Sequence, residues 1–203
     1  MTTPLVILAG GRAARMGGGD KCLLAVGGIP ILRRILDRLA RPHRPVVLNA
    51  NGDPGRFAAY GLPVVPDGIA EQPGPLAGIL AGMRWVAANL PDARDIVTVS
   101  GDTPFLPADL VERLVAARAA SGADIAVAAS AGRTHHTAAL WPVGLADALE
   151  HAIREEGIRR VGAWAARHRV AVADFACDPV DPFLNVNDPA GLAEAERFAA
   201  SAG

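Results

Sequence analysis

Cysteine is nearly absent: Cys22 and Cys177 are the only two in 203 residues, and they stand far apart. A disulfide framework or a structural zinc site needs more Cys or His at short, regular spacing, so neither is expected, and the composition suits a reducing cytoplasm. An excess of one charge is also missing. Twenty Lys and Arg stand against 21 Asp and Glu for a formal net charge of −1, which leaves no global basic field to gather a nucleic-acid backbone. Charges interrupt every apolar run before it reaches the roughly 18 to 20 residues of a membrane span. The opening stretch MTTPLVILAGG has no Lys or Arg ahead of its apolar run and leads into Arg12 and Arg15, the wrong flanks for a secretory signal, so it reads as part of the mature fold. Two phosphate-binding signatures are lacking. Lys21 lies between Asp20 and Cys22, which breaks the P-loop pattern, and no G-x-G-x-x-G occurs, which argues against a dinucleotide-dependent dehydrogenase. Internal repeats and low-complexity segments are absent.

What is present is a 51% hydrophobic chain, ample for one core, arranged in alternating patterns. Leu5-Val6-Ile7-Leu8 is a continuous apolar run ended by glycines, as in a strand buried on both faces, and runs at 46–48, 64–65, 96–99 and 125–127 repeat it. Helical periods lie between them: Ile31, Leu32, Ile35, Leu36 and Leu39; Leu76, Ile79, Leu80, Met83 and Leu90; Leu110, Val111, Leu114, Val115 and Ala117. Pro75 and Pro107 mark helix starts, where a missing N–H costs nothing. Asn187-Asp188-Pro189 opens a last helix with Asp188 as N-cap. The pattern predicts a single-domain α/β fold, Rossmann-like, with a mostly parallel sheet and helices on both faces.

The first strand runs into a loop with five glycines and three cations between Gly10 and Lys21. Glycines let backbone N–H groups approach anionic oxygens, while Arg15 and Lys21 neutralise charge, so the loop suits a polyphosphate. The alternative is a glycine hinge with solvated arginines. Ser100-Gly101-Asp102 ends the 96–99 strand and brings a carboxylate to the same sheet edge. Mg²⁺ is commonly held by one or two carboxylates plus substrate phosphates, which one strand-end Asp can satisfy. The alternative role for Asp102 is a turn residue ahead of Pro104.

Leu8-Ala9-Gly10-Gly11, Arg15-Met16-Gly17, Lys21, Asn49-Ala50-Asn51, Pro66-Asp67, 73–78, Asp102 and Asn185-Val186-Asn187-Asp188-Pro189 follow one another in that order. Together they resemble the molybdenum cofactor guanylyltransferase family over nearly the whole chain. The resemblance implies a Mg²⁺-dependent nucleotidyltransferase that joins GMP from GTP to the phosphate of molybdopterin and releases pyrophosphate. By it Leu8, Ala9, Gly10, Gly11, Lys21, Asn49, Asp67 and Asp102 contact GTP, Asp102 holds the metal, and Lys21, Arg15 and Asp102 serve the chemistry. Asn185 and Asn187 fall on the molybdopterin side, although Asn187 also fits a turn into the last helix. A nucleotide-binding part over 1–105 and an acceptor-binding part over 106–203 follow, with proteins that deliver or accept the cofactor as partners. Alternatives are a cytidylyl or sugar-phosphate nucleotidyltransferase, or a GTP-binding module without turnover.

Other polar residues read more plainly. His135 and His136 point to opposite faces of a strand and do not chelate one ion; the family's proline is replaced by His136, and His135 either touches the pterin or is an ordinary strand residue. Arg159 and Arg160 either reach a substrate phosphate or begin a solvated helix. Cys22 and Cys177 read as buried packing residues.

Overall fold

The computed structural model describes residues 3–10, 19–41, 43–69 and 74–201. The chain forms β1 (Leu5–Leu8), a small hairpin of β2 (Ala25–Val26) and β3 (Ile29–Pro30), α1 (Ile31–Leu39), β4 (Val46–Asn49), β5 (Val64–Val65), α2 (Pro75–Asn89) and β6 (Asp95–Ser100). It continues through α3 (Leu110–Ser121), β7 (Ile125–Ser130), β8 (Arg133–Pro142), α4 (Ala146–Arg154), α5 (Val161–Ala165), β9 (Val170–Phe175) and α6 (Pro189–Ser201). Every strand and helix expected from the apolar patterns is there, and Asp188 Oδ1 accepts from Gly191 N at 2.9 Å as the cap of α6.

Seven strands make one sheet in the order β5-β4-β1-β6-β8-β7-β9. β1 pairs parallel with β4 and β6, β4 with β5, and β7 with β9, while β8 runs antiparallel to both its neighbours. The sheet is therefore mostly parallel with one reversed strand. β8 and β9 escape a search for continuous apolar runs for different reasons. The first half of β8 is polar and lies at a hairpin tip, and β9 alternates exposed and buried residues as an edge strand does.

Successive side chains of β1 point to opposite faces and so join different layers. Leu5 and Ile7 pack with Ile31, Leu32 and Ile35 of α1 and Leu110 and Leu114 of α3, whereas Val6 packs with Ile79 and Met83 of α2, Trp141 of β8 and Leu149 of α4. Each fully buried Leu, Ile or Val contributes about 1.5–3 kcal/mol relative to exposure. From β1 the chain crosses to β4 on one side and later to β6 on the other. That reversal opens a crevice at the carboxyl ends of the strands, where open α/β sheets take their ligands.

Candidate active site

A cavity of about 290 Å³ occupies that crevice. Its floor is the end of β1, with Leu8, Ala9 and Gly10; Asn49 and Asp67 enter from β4 and the turn after β5; Lys21 and Asp102 face it from the other side. These seven residues, far apart in sequence, are thus brought together as expected. Gly11 and Arg15 lie outside the described residues. A methyl group added at Gly10 would meet nothing within 4 Å among the described residues.

Asn49 and Asn51 lie two residues apart at the end of β4, and their amides together grip one carboxylate. Asn49 Nδ2 donates to Asp67 Oδ1 at 2.9 Å and to Val65 O at 3.1 Å; Asn51 Nδ2 donates to Asp67 Oδ2 at 2.9 Å, and Asn51 Oδ1 accepts from Asp67 N at 2.8 Å. Neutral amides orient the carboxylate without cancelling its charge, which keeps Asp67 available to accept from a ligand. Helix α2 comes close enough to touch this cluster only because residue 78 is glycine: a Cβ there would stand 2.2 Å from Asn49 Oδ1. Arg56 links the segment before Lys21 to the end of β4, with Nε 3.1 Å from Asp20 Oδ2 and Nη2 donating to Asn51 O at 2.7 Å.

On the other wall, Ser100 Oγ donates to Asp102 Oδ1 at 2.6 Å, and Lys21 Nζ stands 3.8 Å from Asp102 Oδ2, beyond hydrogen-bond reach. Lys21 Nζ donates instead to Asn187 Oδ1 at 2.5 Å. Asn185 Oδ1 accepts from Thr103 Oγ1 at 2.8 Å, and Val186 N donates to Asp102 O at 2.9 Å. Among the described residues no group of three or more His, Cys, Asp or Glu could cage a metal. The donor set nonetheless fits Mg²⁺, because Asp102 Oδ2 supplies a hard anionic oxygen at a cavity wide enough for phosphates and waters, the remaining ligands this ion prefers.

The sequence pattern of the MobA-like NTP transferase domain matches residues 5–171. The chain belongs to this family. The protein named molybdenum cofactor guanylyltransferase from Rhodopseudomonas palustris (strain BisB5) is 52% identical over 197 residues, covering 97% of this chain and 94% of that protein. The protein of the same name from Bradyrhizobium sp. (strain ORS 278) is 53% identical over 197 residues, covering 97% and 93%. In fold, the MobA-like chain is similar to the crystal structure of molybdopterin-guanine dinucleotide biosynthesis protein A from Archaeoglobus fulgidus, with a TM-score of 0.76 at 21% identity over 98% of this chain and 100% of that one.

The remaining expectations for this MobA-like chain divide. His135 and His136 part as expected. His135 stacks on Phe183 with ring centroids 4.4 Å apart and its Nε2 is 2.7 Å from Ser130 Oγ, while His136 sits against Gly162, whose Cβ would be 3.1 Å from its Cε1. Burial pushes both imidazoles below the ordinary histidine value. Arg159 donates to Ile153 O at 2.9 Å and to Ile158 O at 3.1 Å, at the carboxyl end of α4, and Arg160 is exposed just ahead of α5. Cys22 is buried and lines the cavity; burial, then the charge of Asp20, pushes its thiol up to about 12. Cys177 is exposed, which corrects its reading as a packing residue: it lies in the irregular segment after β9, past the last core position of the strand. Asn51 and Ser100 went unassigned. For Asn51 the spacing of two from Asn49 at the end of β4 is the available signal, because in extended chain such pairs share a side, whereas Ser100 reaches Asp102 only across the turn that follows β6.

Proposed function

We propose that this chain transfers GMP from GTP to molybdopterin-type molybdenum cofactor and releases pyrophosphate. The observation that carries the reading is the convergence of Lys21, Asp102 and the Asn49–Asp67 pair on one cavity at the switch point of the sheet. About half the residues are shared with proteins named for that reaction. Residues 1–105 supply the nucleotide side of the cavity and 106–203 the acceptor side, with the Lys21–Asn187 hydrogen bond crossing between them.

In this reading the acceptor phosphate attacks the α-phosphorus of GTP in line with the departing pyrophosphate. It is largely ionised at neutral pH, with a second pKa of about 6 as for phosphoamino acids, so no general base is needed. Lys21 places its ammonium against the phosphates, Asp67 accepts from the nucleoside, and the β1 end bounds the base. Asp102 would hold Mg²⁺, which when bound neutralises phosphate charge. Arg15, carried by the glycine-rich loop, adds a second cation. Asn185 and Asn187 face the acceptor. Positioning and charge neutralisation supply the acceleration. No helix among the described residues is long and apolar enough to cross a membrane, and two free thiols suit a cytoplasmic setting.

The test is incubation with Mg²⁺, molybdopterin and GTP, CTP, ATP and UTP in competition, with pyrophosphate and product mass measured together. GMP should dominate the product, because a site built to hydrogen-bond a group rejects an analogue lacking it by about 10⁴ to 10⁵. Equal or better incorporation of CMP overturns the guanylyl assignment.

A further inference from the structure

After β9 the chain runs back across the carboxyl edge of the sheet before α6 begins, and residues 181–187 form an irregular strap there. The strap is tied at both ends. At its far end Asn185 accepts from Thr103, Val186 N donates to Asp102 O, and Asn187 accepts from Lys21. At its near end Asp181 Oδ1 accepts two hydrogen bonds, from Ser130 Oγ at 2.8 Å and from Phe183 N at 2.9 Å. The Phe183 ring then lies on His135 and meets the edge of Phe175 at 5.4 Å.

Ser130 and His135 belong to the β7–β8 hairpin. Ser130 pairs with Arg133 across a two-residue turn, Ala131-Gly132, in which both residues have positive φ, and Ala128 pairs with His135. Ser130 and His135 are therefore diagonal neighbours on one face. Their proton inventory has one solution. A carboxylate only accepts, so Ser130 spends its single hydroxyl hydrogen on Asp181, and the 2.7 Å contact with His135 needs the hydrogen from Nε2. The result is a directed chain, His135 Nε2–H to Ser130 Oγ–H to Asp181 Oδ1, with Ser130 almost wholly buried. Such a chain accepts one placement of Asp181 and excludes sliding of the strap, which apolar contacts alone would tolerate.

We propose that Ser130, His135 and Asp181 are positioning residues that latch the strap to the β7–β8 hairpin, so that its far end sets Lys21, Asp102 and the asparagines Asn185 and Asn187 for the reaction. The consequence for turnover rests on the guanylyltransferase reading; the latch itself does not. None of the three residues lines the cavity.

The experiment compares the full-length parent with S130A, D181A, D181N and H135Q. Hydrogen exchange of the 181–187 amides reads the latch directly, binding of GTP with Mg²⁺ reads the nucleotide side, and kcat and KM for molybdopterin read the acceptor side. Deleting the Ser130 hydroxyl or the Asp181 carboxylate should speed exchange in 181–187 by about tenfold, as loss of a buried hydrogen bond implies. The same two variants should raise the molybdopterin KM and lower kcat, with GTP affinity within about threefold of the parent. D181N keeps an acceptor oxygen for both donors and H135Q keeps an N–H near the place of Nε2, so each should restore exchange and kinetics toward the parent. Unchanged exchange in S130A and D181A overturns the latch, as does D181N exchanging like D181A. Loosened exchange with parental kcat and molybdopterin KM overturns its role in positioning. A parent that binds GTP but forms no product with molybdopterin defeats the guanylyltransferase reading instead, and the exchange arm still decides the latch.

Discussion

Asp102 keeps one carboxylate oxygen on Ser100 and turns the other toward Lys21 without a hydrogen bond. Asp102→Asn preserves the Ser100 contact and the shape while removing the negative charge. Turnover should fall on the order of a thousandfold, the scale of losing metal-borne charge stabilisation, with the melting temperature unchanged. Activity near the parent in saturating Mg²⁺ would remove Asp102 from the metal. Lys21→Ala deletes a charge-assisted contact worth roughly 1.5–3 kcal/mol, so kcat/KM for GTP should drop about ten- to a hundredfold. An unchanged value would mean that the ammonium serves only Asn187. The two cysteines separate by environment. Cys22 is buried, with a thiol held near 12, and Cys177 is exposed. Thiolate, not thiol, reacts, so a thiol reagent should label Cys177 alone in the native protein and both residues after denaturation. Rapid native labelling of Cys22 would contradict its burial.

Helix α2, whose Pro75 lines the cavity, shows how the close approach of one element shapes a site. Gly78 and Gly82 lie one turn apart and let its backbone approach β1 and β4; a Cβ at 78 would stand 2.9 Å from Leu8 Cδ2 besides its clash with Asn49, and one at 82 would stand 2.8 Å from Val6 Cγ1. Replacing a helical glycine by alanine gains about 0.5–1 kcal/mol of backbone propensity, whereas overpacking a filled core costs about 1–3 kcal/mol. The second term should win. Gly78→Ala is expected to lower the melting temperature and raise the KM for GTP, because displacing Asn49 frees Asp67; a more stable variant with parental KM would refute the close approach. In the sequence, α2 was visible from Pro75 and its apolar period, but a glycine reads there only as a weak helix former. The packing partners of Gly78 and Gly82 lie on β4 and β1, far back along the chain. The same holds for β8, whose polar half is meaningful only once the hairpin with β7 is seen.

Across the whole molecule three histidines are held below their free value of 6.5, each chiefly by burial. At His135 the charge of Asp181 opposes that shift and Arg133 and His136 add to it; at His168 Asp124 opposes it and Arg167 adds. His168 Nε2 is also buried without a hydrogen-bond partner among the described residues. A folded-state value below the unfolded one means that the unfolded chain takes up protons first as pH falls. The stability these groups contribute is complete above about pH 6.5 and is lost as pH drops through their folded values. The melting temperature should hold from pH 8 to 7 and decline below about pH 6.5, and a melting temperature that rises on acidification from pH 7 to 5.5 would contradict the burial of these rings. By itself the sequence determined the alternation of strands and helices and the glycine-rich start, and it singled out Lys21 and Asp102 as candidates, because hydropathic period and short motifs are local properties of a chain; Asn49 and Asp67 became candidates only through the family resemblance. Only the tertiary structure decided that Asn51 orients Asp67, that Lys21 meets Asn187 across 166 residues, and that Ser130 and His135 hold the strap that carries Asn187. Hydrogen bonds between residues so far apart come into being when the sheet is assembled, and no local pattern encodes which side chains its edges bring within reach.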